Sequence, residues 1–204
     1  MKFSLLKVDN PQKLIKLSKN KVSFLKKEDD VSLFHFNKFN NGLYHAVFNI
    51  NDEYQIGTKK LGKQYNYPYS SLVNFFFTLE SNFALVEYVN RKYQDEVINS
   101  VNNKTKAKIK KSVLDNSSII KLIKNLGGSI KKFEYTNEAD ELLSQDFITK
   151  EEIYEIADSC TIDRALLLID SQNVSFANNG DISVDNSDEV FLINFTKRII
   201  STIE

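Results

Sequence analysis

The sequence predicts an α+β fold: an antiparallel, β-rich stretch over residues 1–90, then a mainly helical stretch over 91–204 that closes on a hairpin and a last helix. Three observations predict it. Short runs of aromatic and β-branched residues, punctuated by Asn, Asp and Gly, fill the first stretch. Helical spacing of apolar residues takes over after Asn90. No linker-like composition and no internal repeat separates the two, so they are expected to pack as one compact unit, and 204 residues at 42% hydrophobic suffice for a buried core.

Taken in order, Phe3 to Val8 reads as a strand. Asn10-Pro11 then reads as an N-cap with proline at the first helical position, opening a short helix with Leu14, Ile15 and Leu17 inward. Val22–Leu25, Val31–Phe39, Leu43–Ile50 and Glu53–Thr58 read as strands, with turns at Asp29-Asp30, Asn40 to Gly42 and Asn51-Asp52. Leu72–Leu79 and Phe83–Val89 form a further hairpin across Glu80 to Asn82. Residues 91–113 read as a helix with Val97, Ile98 and Val101 on one face. A second helix, Ser117–Leu126, stops at Gly127-Gly128, and Ser129–Tyr135 returns to a strand. Thr149 and Glu152 make a capping box for a helix to about Ser159. Asn178-Asn179-Gly180 is the strongest hairpin signal, between Asn173–Ala177 and Asp181–Val184. The last helix is expected from Asn186, boxed by Glu189, with Val190, Leu192, Phe195, Ile199 and Ile203 buried.

The formal net charge is zero, but it is unevenly distributed. Residues 1–133 hold 23 basic and 11 acidic side chains, and residues 134–204 hold 4 and 16, a division of +12 against −12. Such asymmetry points to a polyanion-binding surface or to oppositely charged partners, unless the two segments neutralise one another in the fold. Two places sharpen the basic side. Lys59, Lys60 and Lys63 stand beside Tyr65, Tyr67 and Tyr69, which share one face of any extended segment, as base-stacking rings next to phosphate-contacting ammonium groups would. Lys104, Lys108 and Lys111 form one stripe at i, i+4 and i+7 if the segment is helical. With Arg91, these residues make the expected nucleic-acid-binding set.

Signals for chemistry are sparse. One cysteine, Cys160, excludes an intrachain disulfide, and two histidines leave no Cys/His zinc module. His35 and His45 lie in one predicted hairpin. A two-residue loop would set them on opposite faces, whereas a three-residue loop, Asn40–Gly42, would pair Asn37 with His45 and set both on one face. Neither a phosphate-binding glycine loop nor a Rossmann glycine pattern occurs, and Gly127-Gly128 follows a helix rather than opening one. No cofactor, no metal and no catalytic residues are expected. The N-terminus lacks the apolar run of a secretion signal, and the longest apolar runs fall far short of the ~20 residues a bilayer span needs. A cytoplasmic protein without a membrane partner is therefore expected.

The function expected from these residues is non-enzymatic nucleic-acid binding through the basic N-terminal two-thirds. The alternative is a protein-interaction or regulatory subunit, an adaptor or self-associating protein held by opposite charges. An asparagine-rich, tryptophan-free composition is associated with AT-rich bacterial and phage genomes, and so with phage-defence complexes as the setting of that alternative.

Overall fold

The first strand is apolar on both faces, and the fold is organised around that fact. Phe3 and Leu5 point one way and Leu6 and Val8 the other, and all four are fully buried. The computed structural model describes residues 1–19, 30–60, 62 and 64–204. Among them eleven strands form one antiparallel sheet: β1 Lys2–Val8, β2 Val31–Lys38, β3 Tyr44–Gly57, β4 Gln64–Phe77, β5 Phe83–Glu87, β6 Ile109–Lys111, β7 Ser129–Thr136, β8 Leu142–Asp146, β9 Thr161–Ile169, β10 Gln172–Ala177 and β11 Asp181–Val184. Their spatial order is β2-β3-β4-β5-β1-β11-β10-β9-β7-β8, with β6 also paired to β1. Thus β1 joins β5 of the first stretch to β6 and β11 of the second.

Helices cover the sheet on opposite faces at its two ends. A 3-10 helix (Pro11–Lys19) and α1 (Arg91–Thr105) lie over the face that buries Leu6, Phe48, Phe75 and Phe77. Helices α2 (Asn116–Leu126) and α4 (Glu189–Ile203) lie over the other, with Phe3, Phe76, Phe133 and Phe176 beneath them, and α3 (Lys150–Ser159) adds Ile153 to that cluster. Each α-helix start has its side-chain cap: Asn90 to Tyr93, Asp115 to Ser118, Asp188 to Phe191, and the full Thr149/Glu152 box on α3.

The mixed α+β class holds, but the split between the halves is only partial. Every α-helix among the described residues follows residue 90, yet six of the eleven strands do too. Four expectations are corrected. Asn51-Asp52 is not a turn: β3 runs through it because Asn51 and Asp52 pair with Ser70 and Tyr69, extending the β3–β4 ladder over fourteen pairs. The helix expected over 91–113 ends at Thr105, where Lys106 adopts a left-handed conformation (φ 60°) and the side chain of Asn102 bonds both the N–H and the C=O of Ile109. The cause is a period of two: Ala107 and Ile109 are buried beside β1, which turns Lys106, Lys108 and Lys110 outward. The last helix is capped by Asp188, not Asn186, so Glu189 is its first residue and Val190 is exposed. Strands β8 and β9 were not anticipated. The strand expected over 22–25 lies outside the described residues.

One buried group lacks a partner. Both amide atoms of Gln94 on α1 are sealed from solvent without a hydrogen bond among the described residues. An unsatisfied buried amide costs about 1–3 kcal/mol. Gln94→Met keeps the length of the side chain and removes that cost, so the urea midpoint is expected to rise; an unchanged or lower midpoint would show that Gln94 has a partner when folded.

Candidate functional site: a tyrosine-faced ribbon and a histidine cavity

Beyond β2 and β5 the β3–β4 hairpin continues alone. Residues 52–57 pair only with 64–69 among the described residues, a two-stranded ribbon projecting by roughly 20 Å at the usual rise per residue. Strand alternation sorts its side chains. Tyr54 pairs with Tyr67 and Ile56 with Tyr65, and Tyr69 stands diagonal to Tyr54 with ring centroids 4.8 Å apart. These five apolar side chains share one face and are each 38–57% exposed. Glu53, Gln55, Asn66 and Pro68 occupy the other. The hairpin turn carries Lys59 and Lys60, and Gly62, with φ +60°, donates its N–H to the carbonyl of Thr58.

The ribbon's base is pinned to α1. The Tyr93 hydroxyl donates to Asp52 Oδ2 at 2.7 Å, and the Glu53 N–H donates to Asp52 Oδ1 at 2.8 Å. These bonds hold the Asp52 carboxyl below its ordinary range, and the same bond pushes the Tyr93 phenol up to about 12. Beside this joint lies an open trough of about 800 Å³ whose lining includes Asp30, Asp52, Glu53 and Glu96 against one ammonium group, Lys92.

The sequence-predicted site residues are only partly brought together. Tyr65, Tyr67 and Tyr69 do share an exposed face, and Lys59 and Lys60 stand at the end of the same ribbon; Lys63 lies outside the described residues. The helical stripe does not form. Lys104 lies in the last turn of α1 and donates to the Val31 carbonyl at 3.3 Å, Lys111 lies on β6 and pairs with Asp95 at 2.9 Å, and Lys108 is exposed just before β6. Arg91 is exposed, with Asp95 3.9 Å away on the next turn. The basic and acidic segments also meet, at Lys2–Asp181 (2.7 Å).

A second polar assembly lies at the other face of β3 and β4. The three-residue loop is the one formed: Gly42 has φ +81°, and Asn37 pairs with His45 and His35 with Val47. A bulge between Leu33 and His35 restores the other register farther along. His35 and His45 therefore share a face, ring centroids 6.2 Å apart. His45 stacks on Phe76 at 4.4 Å, and its Nε2 lies 2.8 Å from Asn74 Oδ1. Asn74 donates its side-chain amide (2.5 Å) and its backbone N–H (3.2 Å) to Glu87 Oε2. Desolvation, joined by the neighbouring His35, holds the His45 ring below its ordinary range against the Asn74 bond and the carboxylates of Glu189 and Glu87, which raise it. A cavity of about 300 Å³ adjoins it, bounded on the far side by α4. No group of three or more His, Cys, Asp or Glu side chains among the described residues is placed to hold a metal ion.

No family model matches the chain, and no curated protein matches its sequence. No helix among the described residues is long and apolar enough to cross a membrane. The sequence alone missed Asn74, Glu87 and Glu189 around His45. The one available signal was the three-residue loop that sets the two histidines on one face.

Proposed function

We propose that this chain is a protein-docking module, an adaptor or regulatory subunit, whose β3–β4 ribbon is the docking arm. The observation that carries this reading is the continuous exposed face of Tyr54, Ile56, Tyr65, Tyr67 and Tyr69 on a ribbon rooted in an acidic trough. Tyrosine offers a large apolar body and a polar tip, which is why it is enriched in the buried centres of protein interfaces. Five adjacent exposed apolar side chains gain more from covering than from water. The fitting partner presents an apolar strip with a basic end toward Asp52 and Glu96 and an acidic end toward Lys59 and Lys60.

Single-stranded nucleic acid stacked on the same rings is the second reading, favoured by the two lysines at the ribbon's turn. It is the weaker one. Of the anticipated phosphate contacts, Lys104 and Lys111 have intramolecular partners, and the trough at the ribbon's base repels phosphate.

Site-specific photocrosslinking separates the two. A benzophenone amino acid placed at Tyr67 in the source cells is expected to give a discrete adduct that protease removes and nuclease leaves unchanged. Tyr54→Ser with Tyr65→Ser should abolish partner capture while leaving the melting temperature within about 2 °C, since exposed positions contribute little to stability. A nuclease-sensitive adduct whose yield falls steeply with salt would replace docking with nucleic-acid binding. No adduct above that of an exposed control position, Val113, would dismiss both.

A further inference from the structure

We infer that the occupant of the ribbon is a second copy of this chain, laid antiparallel across the tyrosine face so that each lysine tip meets the other copy's acidic trough. This rests on the reading of the ribbon as a protein-docking arm and names its partner. The two ends of the arm differ in charge. The stretch joining its strands, residues 58–63, contains three lysines and no acid. At its base Asp52 pairs with Tyr69 and so lies on the tyrosine side. Glu96 follows three residues along α1 from Tyr93, whose hydroxyl holds Asp52. Asp30 and Glu53 line the same trough, and Lys92 is the one basic side chain lining it among the described residues.

Two such faces can meet in either direction. Parallel packing sets lysines on lysines and carboxylates on carboxylates, which repels at both ends. Antiparallel packing sets unlike charges together at both ends, and the two-fold axis makes the second contact a repeat of the first. The lengths agree. From Asp52 to Lys59 is roughly 23 Å at the strand rise, so an axis crossing the arm near Gln55 and Ile56 brings each Lys59 to the other's Asp52. Tyr54, Ile56, Tyr65 and Tyr67 then lie at the centre. The layering agrees as well. Helix α1 covers the same side of β3 and β4 where Phe48 and Phe75 are buried, and a ribbon laid on the tyrosines continues that layer up to the start of α1. Taking ~200 Å² for a whole tyrosine, the exposed parts of the five side chains come to roughly 500 Å² per copy. Two facing copies thus cover about 1,000 Å², the threshold of a specific interface, and the contacts of tip with trough add to it.

Light scattering on the purified full chain at low salt is expected to give twice the 23.5 kDa of one chain. Lys59→Glu with Lys60→Glu, both at exposed turn positions, should raise the dissociation constant roughly a hundredfold, about tenfold for each end. Asp30→Lys with Glu96→Lys should do the same from the trough. Mixing these two variants should restore the dimer, because each tip then meets a trough of opposite sign; a misfolded variant would not be rescued. A benzophenone amino acid at Lys60 should capture residues near 92–96, which lie roughly 20 Å away in its own chain and are in reach only on the partner. Capture of the partner's residues 58–63 instead would overturn the antiparallel arrangement. A monomer at the highest soluble concentration, or a dimer that neither charge variant weakens, would overturn the second copy as occupant. The docking reading is decided separately, by whether the Tyr67 adduct from source cells contains a different protein.

Discussion

Gly180→Ala is expected to destabilise the protein by about 3 kcal/mol or more, a fall in melting temperature of roughly 6–12 °C for a chain of this size. Gly180 closes the turn between β10 and β11 with φ +83°, where an alanine bears about 1–2 kcal/mol of backbone strain. Space adds the larger part. An added Cβ would lie 2.1 Å from the Ser112 carbonyl oxygen, a backbone atom that cannot rotate aside. Nor can the turn retreat. Its Gly180 carbonyl accepts from the Leu5 N–H (2.8 Å), the Asn178 carbonyl accepts from the Leu114 N–H (2.8 Å), and the Ser112 N–H donates to Leu5 (3.0 Å). Gly42→Ala is the matched control, with φ +81° and nothing within 4 Å of an added Cβ, so it carries the backbone strain alone. Urea denaturation of both variants reads the difference as the close approach. If the two midpoints fall together, the turn is not packed against residue 112.

The same turn shows what local sequence can specify. Asn178-Asn179-Gly180 and Thr149 with Glu152 act within three or four residues, and both formed where the sequence predicted. Gly127-Gly128 likewise stops α2, both residues with positive φ. The failures share a different cause. Asn51-Asp52 has turn chemistry, but the ladder with residues 69 and 70 overrides it, and that partner is invisible at short range. Lys104, Lys108 and Lys111 fit a helical stripe while Ala107 and Ile109 fit a strand, and the free edge of β1, about a hundred residues earlier, decides between them. The run Ala165 to Ile169 is equally good as buried helix or buried strand, and pairing with β7 and β10 makes it a strand.

Legibility of the candidate sites follows the same division. Three tyrosines two residues apart must share a face in any extended segment, so the ribbon's stripe was legible before its position was. Whether their neighbours were free was not legible. The lysines were assigned to a partner on the strength of their count, and the fold gave Lys111 to Asp95 and Lys104 to the Val31 carbonyl. Around His45 the decisive residues, Glu87 and Glu189, come from β5 and α4, and nothing in the spacing of positions 45, 74, 87 and 189 brings them together.

Phe3→Ala and Leu6→Ala are expected to lower one and the same unfolding transition, by about 3–5 and 2–5 kcal/mol respectively. The two side chains leave β1 on opposite faces and enter different clusters. Phe3 meets Phe76 edge to face at 6.0 Å under α2 and α4, whereas Leu6 packs with Leu14, Leu17 and Val97 under the 3-10 helix and α1. Each truncation leaves a cavity in only one cluster. If residues 1–90 and 91–204 were separate units, Phe3→Ala would loosen one and spare the other. One strand is shared, however, and its hydrogen bonds run to β5 on one side and to β11 and β6 on the other. Losing either cluster therefore strips the remaining sheet of its central strand. Hydrogen exchange measures this directly: in both variants the slowest amides of β3–β4 and of β9–β10 should lose protection by the same free energy. A two-step melt, with Phe3→Ala moving only the step that exposes β9–β10, would instead make β1 a strap between separately folding halves.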